Sequence, residues 1–166
     1  MLAVAANSVA LSGCLILERK DFNDRSTPLA IRTDENAQYP IGRIIQFNLD
    51  TDTNLVFDTQ IIDETPQRLL IARWALDDAL VNDGEVPANN TGGRVREYSD
   101  TIDRAAFSSV PTGRCHTLTL YVSHQFYSDV GEGQFLPIVP DSGDIAIATW
   151  YVVTVDSTNS TGSCSP

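Results

Sequence analysis

Residues Cys115 to Ser123 read "CHTLTLYVS". Leu118, Leu120 and Val122 alternate with Thr117, Thr119 and Tyr121. Apolar and polar residues alternating with period two mark a strand with one face on a core. A second stretch, "IAIATWYVVTV" from Ile145 to Val155, is apolar almost throughout. That is the pattern of a central strand covered on both faces. The pair predicts a sheet, and the rest of the chain supplies more strands.

"IGRIIQFNL" (Ile41–Leu49) and "NLVFDTQIID" (Asn54–Asp63) read as strands joined by the turn cluster Asp50–Thr53. "RLLIARWAL" (Arg68–Leu76) reads as a third, around Trp74. Asp77 to Gly93 is loop-like, with "NDGE" and "PANNTGG". "RVREYS" (Arg94–Ser99) reads as a short strand and "DTIDRAAFSS" (Asp100–Ser109) as a helical turn. Neither an internal repeat nor a long amphipathic helix is visible. Short strands separated by turn signals predict an all-β fold, an antiparallel β-sandwich in a single domain. The architecture resembles immunoglobulin-like domains, although the cysteine and tryptophan spacing departs from the antibody pattern.

The 166 residues suffice for one core, and 42% hydrophobic with 20% charged residues is globular composition. Asp and Glu number 22 against 11 Lys and Arg, for a formal net charge of -11. Phosphate contacts need a basic face, so the balance argues against nucleic acid as a partner. It argues equally against electrostatic adhesion to anionic headgroups. No apolar run approaches the roughly 20 residues that span a bilayer.

Met1 to Gly13 carries no charge and is mostly Ala, Val, Leu and Ser, as in the apolar region of a secretory signal. Leu11-Ser12-Gly13-Cys14 resembles the lipobox of bacterial lipoproteins. The resemblance implies cleavage before Cys14 and a lipid on its thiol, with 1–13 as signal peptide; polar Lys20–Gln38 reads as a tether, which gives 14–38 as lipid-anchored tether and 39–166 as the sandwich domain. No Lys or Arg precedes Cys14, a departure from the family's pattern. Leu15, rather than Asp, follows the cysteine. By that resemblance the protein is expected at the bacterial outer membrane, facing periplasm or cell surface, with membrane lipid and an envelope protein as partners. Acylation of this kind exceeds the two signals that stable anchoring takes.

With Cys14 lipidated, Cys115 and Cys164 remain as a pair, which suits an oxidising compartment. If the two long strands pair antiparallel, Cys164 lies within reach of Cys115 and staples the tail across them. The bridge differs from that of immunoglobulins, because its second cysteine lies in the tail.

Signals for chemistry are weak. Asp50-Thr51-Asp52-Thr53-Asn54 opens like a calcium loop, but Leu55 and Ile61 stand where Gly and Glu are needed. No Cys-x-x-Cys spacing exists, and His116 and His124 are eight residues apart. No metal or cofactor is expected. Ser123 and His124 are strand neighbours and point to opposite faces, so they form no dyad. His116 is expected to pack at the sheet edge and His124 to end its strand at the rim. Carboxylates such as Asp77, Asp78 and Glu132 could serve glycoside hydrolysis, but nothing selects among them. Asn89-Asn90-Thr91 and Asn159-Ser160-Thr161 fit the glycosylation sequon, which carries no meaning in a bacterial lipoprotein. The loop Gln125–Gly143 carries Phe126, Tyr127, Phe135 and Leu136, either a lid on the core or a partner-binding surface. The expectation is a non-enzymatic structural or binding module. The rivals are a subunit of a surface assembly and a hydrolase with loop-borne carboxylates.

Overall fold

A computed structural model describes residues 28–126 and 145–164. Eight strands follow in order: β1 Ala30–Arg32, β2 Ile44–Asn48, β3 Asn54–Ile62, β4 Leu70–Leu76, β5 Ala79–Val86, β6 Val95–Asp103, β7 Cys115–Ser123 and β8 Ile145–Val155. A single helical turn, α1 (Arg104–Phe107), separates β6 from β7. One sheet has the order β1-β3-β6 and the other β2-β8-β7-β4-β5. Every pair is antiparallel except β2 with β8, which is parallel. The chain is therefore a β-sandwich.

The quoted strands β7 and β8 pair antiparallel over their length, from Cys115 opposite Val153 to Ser123 opposite Ile145. The alternation aims Leu118, Leu120 and Val122 at the core, beside Ala146, Ala148, Trp150 and Val152 of β8. On the facing sheet, Leu55, Phe57 and Ile61 point inward and Val56, Asp58 and Gln60 outward. Phe57 meets Trp74 at 4.9 Å and Trp150 at 5.0 Å between ring centroids, and the two indoles lie 5.3 Å apart. Truncating such a buried ring typically costs about 3–5 kcal/mol.

Each indole N–H must find an acceptor in this core. Trp150 donates to Tyr39 O at 2.9 Å and Trp74 to Asp100 Oδ2 at 2.8 Å. The Asp100 carboxylate also accepts from Tyr98 O–H at 2.6 Å and from Asn82 Nδ2 at 3.1 Å. Asp100 lies on β6, Trp74 on β4 and Asn82 on β5, so one carboxylate joins the two sheets.

Four sequence expectations change. The loop expected at Asp77–Gly93 contains β5: Asp77 and Asp78 form a turn, with φ of +47° and +67°, and only 87–93 remains loop. Positive φ at both positions is the type I′ hairpin condition, which Asp tolerates. β5 is an edge strand whose exposed Asp83 and Glu85 suppress the apolar alternation while discouraging edge-to-edge pairing. The expected tether ends earlier than Gln38, because Leu29 is buried and β1 pairs with β3. Three residues are too few to show a period. Asp100–Asp103 continues β6 opposite β3, leaving only Arg104–Phe107 helical. β8 is central, but its outer row is half open: Ile147 is exposed, whereas Val153 is buried.

The C-terminal tail explains that buried end. Cys164 bonds to Cys115 with 4.9 Å between Cα atoms, pairing the two cysteines the sequence suggested. The bond lays Gly162 over Val153, where any side chain at position 162 would overlap the Val153 Cγ1 methyl.

Two outcomes are expected. The bridge closes a span of 49 residues, so the chain-entropy estimate gives it about 4 kcal/mol. Urea unfolding with and without reductant should show a loss of that order. The second concerns pH. Burial first, then the hydrogen bond to Asp100 and its charge, push the Tyr98 hydroxyl well above its ordinary value of 10.0. A raised tyrosine pKa means that the unfolded chain deprotonates first. Its stabilisation is complete below about pH 10 and is lost as pH rises above that. Tyr121 is raised as well, by burial and then Asp78, so it adds in the same direction. Tyr98→Phe should therefore flatten, without abolishing, the alkaline decline in urea midpoint.

Candidate functional site

One end of the sandwich gathers three loops: 63–69 between β3 and β4, 87–94 between β5 and β6, and the segment after β7. Arg96 sits at their centre. The alternation of β6 turns Arg96 inward with Tyr98 and Ile102, and its side chain is 2% exposed, as is that of Asp63. A guanidinium taken out of water has to be paired and hydrogen-bonded. Nη2 forms an ion pair with Asp63 Oδ2 and donates to Thr65 O at 3.1 Å and Arg68 O at 2.6 Å. Nη1 donates to Pro87 O at 3.2 Å and more weakly to Val86 O at 3.5 Å. Among the described residues, Nε of Arg96 has no partner.

Asp63 extends the network. Its Oδ1 accepts from the Thr65 backbone N–H at 2.8 Å and the Thr65 hydroxyl at 3.0 Å. His124 Nε2 lies 2.9 Å from Thr65 Oγ1 and 3.6 Å from Asp63 Oδ2. Asn89 holds the remaining loop. Its Nδ2 donates to Gly93 O and Val95 O, its Oδ1 accepts from Thr91, and its backbone N–H donates to Pro66 O at 2.7 Å. One buried cation thus ties together the strand ends and both short loops, and His124 joins the third.

Asp63 and Thr65 are both engaged within this network. The Thr65 hydroxyl donates to Asp63 Oδ1 and so meets the His124 ring with its lone pairs. Asp63 is already neutralised by Arg96. Apart from Arg96 Nε, the side chains named here hold one another in place, which makes a rigid rim.

The other residues singled out in the sequence are dispersed. His116 is buried at the start of β7, an interior strand, rather than at a sheet edge. Its Nδ1 lies 2.6 Å from Asp77 Oδ2 and its Nε2 2.8 Å from Pro111 O, so it pins the β4–β5 turn at the opposite end. Asp77 and Asp78 form that turn. Asp50 and Asp52 accept from the backbone of Ser157 and Asn48, which occupies the carboxylates of the would-be calcium loop. Among the described residues no three His, Cys, Asp or Glu side chains are arranged to hold a metal, and no helix is long and apolar enough to cross a membrane. Both sequons are structural: Asn89 as above, and Asn159 Nδ2 donates to Thr112 Oγ1 at 2.9 Å. Phe126 is buried under the Arg73 guanidinium, 4.5 Å from its ring centroid, and so packs against the sheet. Cys14, Tyr127, Glu132, Phe135 and Leu136 lie outside the described residues.

Asp63, Thr65, Arg96 and Asp100 were not singled out from sequence. The signal was present in β6, where Arg96 and Asp100 stand on the same row as Tyr98 and Ile102. Charges on an inward row announce a buried network.

Neither a protein-family model nor a curated protein matches the sequence. Solved structures share a general likeness. The CARDB domain of a Pyrococcus furiosus protein, in complex with di-metal ions, is 8% identical, with a TM-score of 0.41 over 76% of this chain and 92% of that one. The apo-form Calx CBD1 domain is 11% identical, with a TM-score of 0.31 over 78% of this chain and 99% of that one. Nothing about ligands or activity passes from these domains to the loop end described above.

Asp63→Asn should be strongly destabilising, because it strands a buried guanidinium. Breaking a buried pair on one side costs about 3–5 kcal/mol, readable as a fall in urea midpoint. Arg94→Ala should change the midpoint by less than about 1 kcal/mol, since Arg94 pairs with Glu64 in solvent.

Proposed function

We propose that this chain is a lipid-anchored protein of the bacterial envelope whose sandwich is a non-enzymatic structural or binding module. The loop end around Arg96 is the face offered to an envelope protein partner. The observation that carries the reading is the cysteine arrangement. Cys115 and Cys164 are joined within the fold, which leaves Cys14 as the odd cysteine, directly after Leu11-Ser12-Gly13. Disulfides belong to oxidising compartments, and a thiol after small residues is what the lipobox resemblance implies for acylation. Leu15 after that cysteine favours the outer membrane.

The chemistry of the fold supports binding over catalysis. His116 is consumed by Asp77 and Pro111, and Asp63 and Thr65 by the Arg96 network. A preorganised rim of short, hydrogen-bonded loops loses little freedom when a partner docks, which favours affinity. The acidic balance leaves nucleic acid an unsuitable partner. A second reading, a subunit of a larger surface assembly, is favoured by Ile44 and Ile147. They are 47% and 57% exposed on the outer face of one sheet.

Intact mass of the protein expressed from its full upstream reading frame in a Gram-negative host tests the proposal. The expected product begins at Cys14, carries acyl chains, and lacks two hydrogens for the bridge. A chain retaining Met1 with no lipid and three free thiols would contradict it.

A further inference from the structure

β1 covers only part of its neighbour. β3 is nine residues long, and β1 pairs with Gln60, Ile61 and Ile62 alone. Beyond Arg32 the chain leaves the sheet through a turn closed by Ala37 N–H donating to Asp34 O at 3.0 Å. The other edge of β3 faces β6. Asp63 N–H donates to Arg94 O at one end of that ladder, and Arg104 N–H donates to Thr53 O at the other. Antiparallel pairing alternates, so the odd-numbered residues of β3 bond toward β6. The N–H and C=O groups of Val56 and Asp58 therefore point to the side that β1 has left. Among the described residues no strand pairs with them there.

A cavity of about 420 Å³ opens at this place. Asp34, Asn36 and Ala37 of the turn line one side; Asp58, Thr59 and Gln60 of β3 line the other, with Glu97 of β6 accepting from Gln60 Nε2 at 3.1 Å. Three carboxylates surround it and no Lys or Arg lines it. Arg32 stands only at the end where β1 stops. Val56, two residues from Asp58 on the same outer row of β3, is 39% exposed and offers an apolar foothold.

We propose that this slot receives an extended cationic segment of a partner protein, added as a strand in the line of β1. Main-chain hydrogen bonds to Val56 and Asp58 hold it, as in β-strand addition generally. Register sets the side chains. Running antiparallel to β3, a residue opposite Asp58 is followed two places later by one opposite Val56. Cross-strand neighbours on one face favour opposite charges and paired apolar groups. The segment recognised is therefore a Lys or Arg, any residue, then an apolar residue. This deepens the binding-module reading above and rests on it.

The test uses the full-length disulfide-bonded chain and two capped peptides, Thr-Lys-Thr-Val-Thr-Lys-Thr and the same sequence with Glu for Lys. Backbone amide exchange is followed by NMR. With the Lys peptide, the amides of Val56 and Asp58 should slow at least tenfold, and the Glu peptide should bind at least tenfold more weakly. Val56→Pro removes a donor that faces the slot and leaves the β3–β6 ladder whole, so it should abolish binding without unfolding the chain. Asp58→Lys, at an exposed position, should reverse the preference between peptides. Equal binding of both peptides would overturn the proposal, as would unchanged Val56 and Asp58 amides. Protection confined to 63–69 and 87–94 would overturn the slot while leaving the binding module standing.

Discussion

A buried guanidinium dictates one end of this molecule. Arg96 cannot be left unpaired in a core, where the effective cost of stripping a charge is several kcal/mol. The chain answers with one carboxylate and four carbonyls, drawn from two loops that are distant in sequence. Each loop thereby gains a charge-assisted bond to Arg96. Well-packed hydrophobic residues often stabilise as much as a buried ion pair. What they would lack is direction: a carbonyl must sit at a particular angle and distance from Arg96 for the network to close. That requirement gives the loop end a single geometry.

The two ends of the sandwich are secured by different means. At the Arg96 end the fastening is electrostatic, and His124 brings the exit of β7 into it. At the other end a covalent bridge draws the tail over Val153, and His116 pins the Asp77 turn. Between them Phe57, Trp74 and Trp150 fill the core, with Asp100 joining the sheets through Trp74. A domain fastened this way suits the envelope reading. A disulfide suits an oxidising compartment, and a polar end already ordered would spend little binding energy on ordering loops.

Legibility in the sequence followed burial. β7 announces itself through its alternation and β8 through its apolar run, because both lie inside the larger sheet and apolar residues must fill at least one face. The Cys115–Cys164 pair was legible because few cysteines compete. β5 was hidden: an edge strand protected by Asp83 and Glu85 has the composition of a loop. β1 was hidden by brevity. The Arg96 network was readable in part, since alternation in β6 places Arg96 and Asp100 inward. Their partners Asp63 and Trp74 were out of reach, because proximity across loops and sheets is set by topology and leaves no local trace. The open edge beside Val56 likewise became visible only once β1 was seen to stop at Arg32.

Hydrogen–deuterium exchange on the oxidised chain, compared between the native sequence and Asp63→Asn, tests most directly whether one ion pair organises the loop end. The account predicts that segments 63–69, 87–94 and 124–126 lose protection together, while β7 and β8 keep theirs. Loosening confined to 63–69, with 87–94 unchanged, would contradict it: Asp63 would then serve its own loop, and Arg96 would not be the common tie.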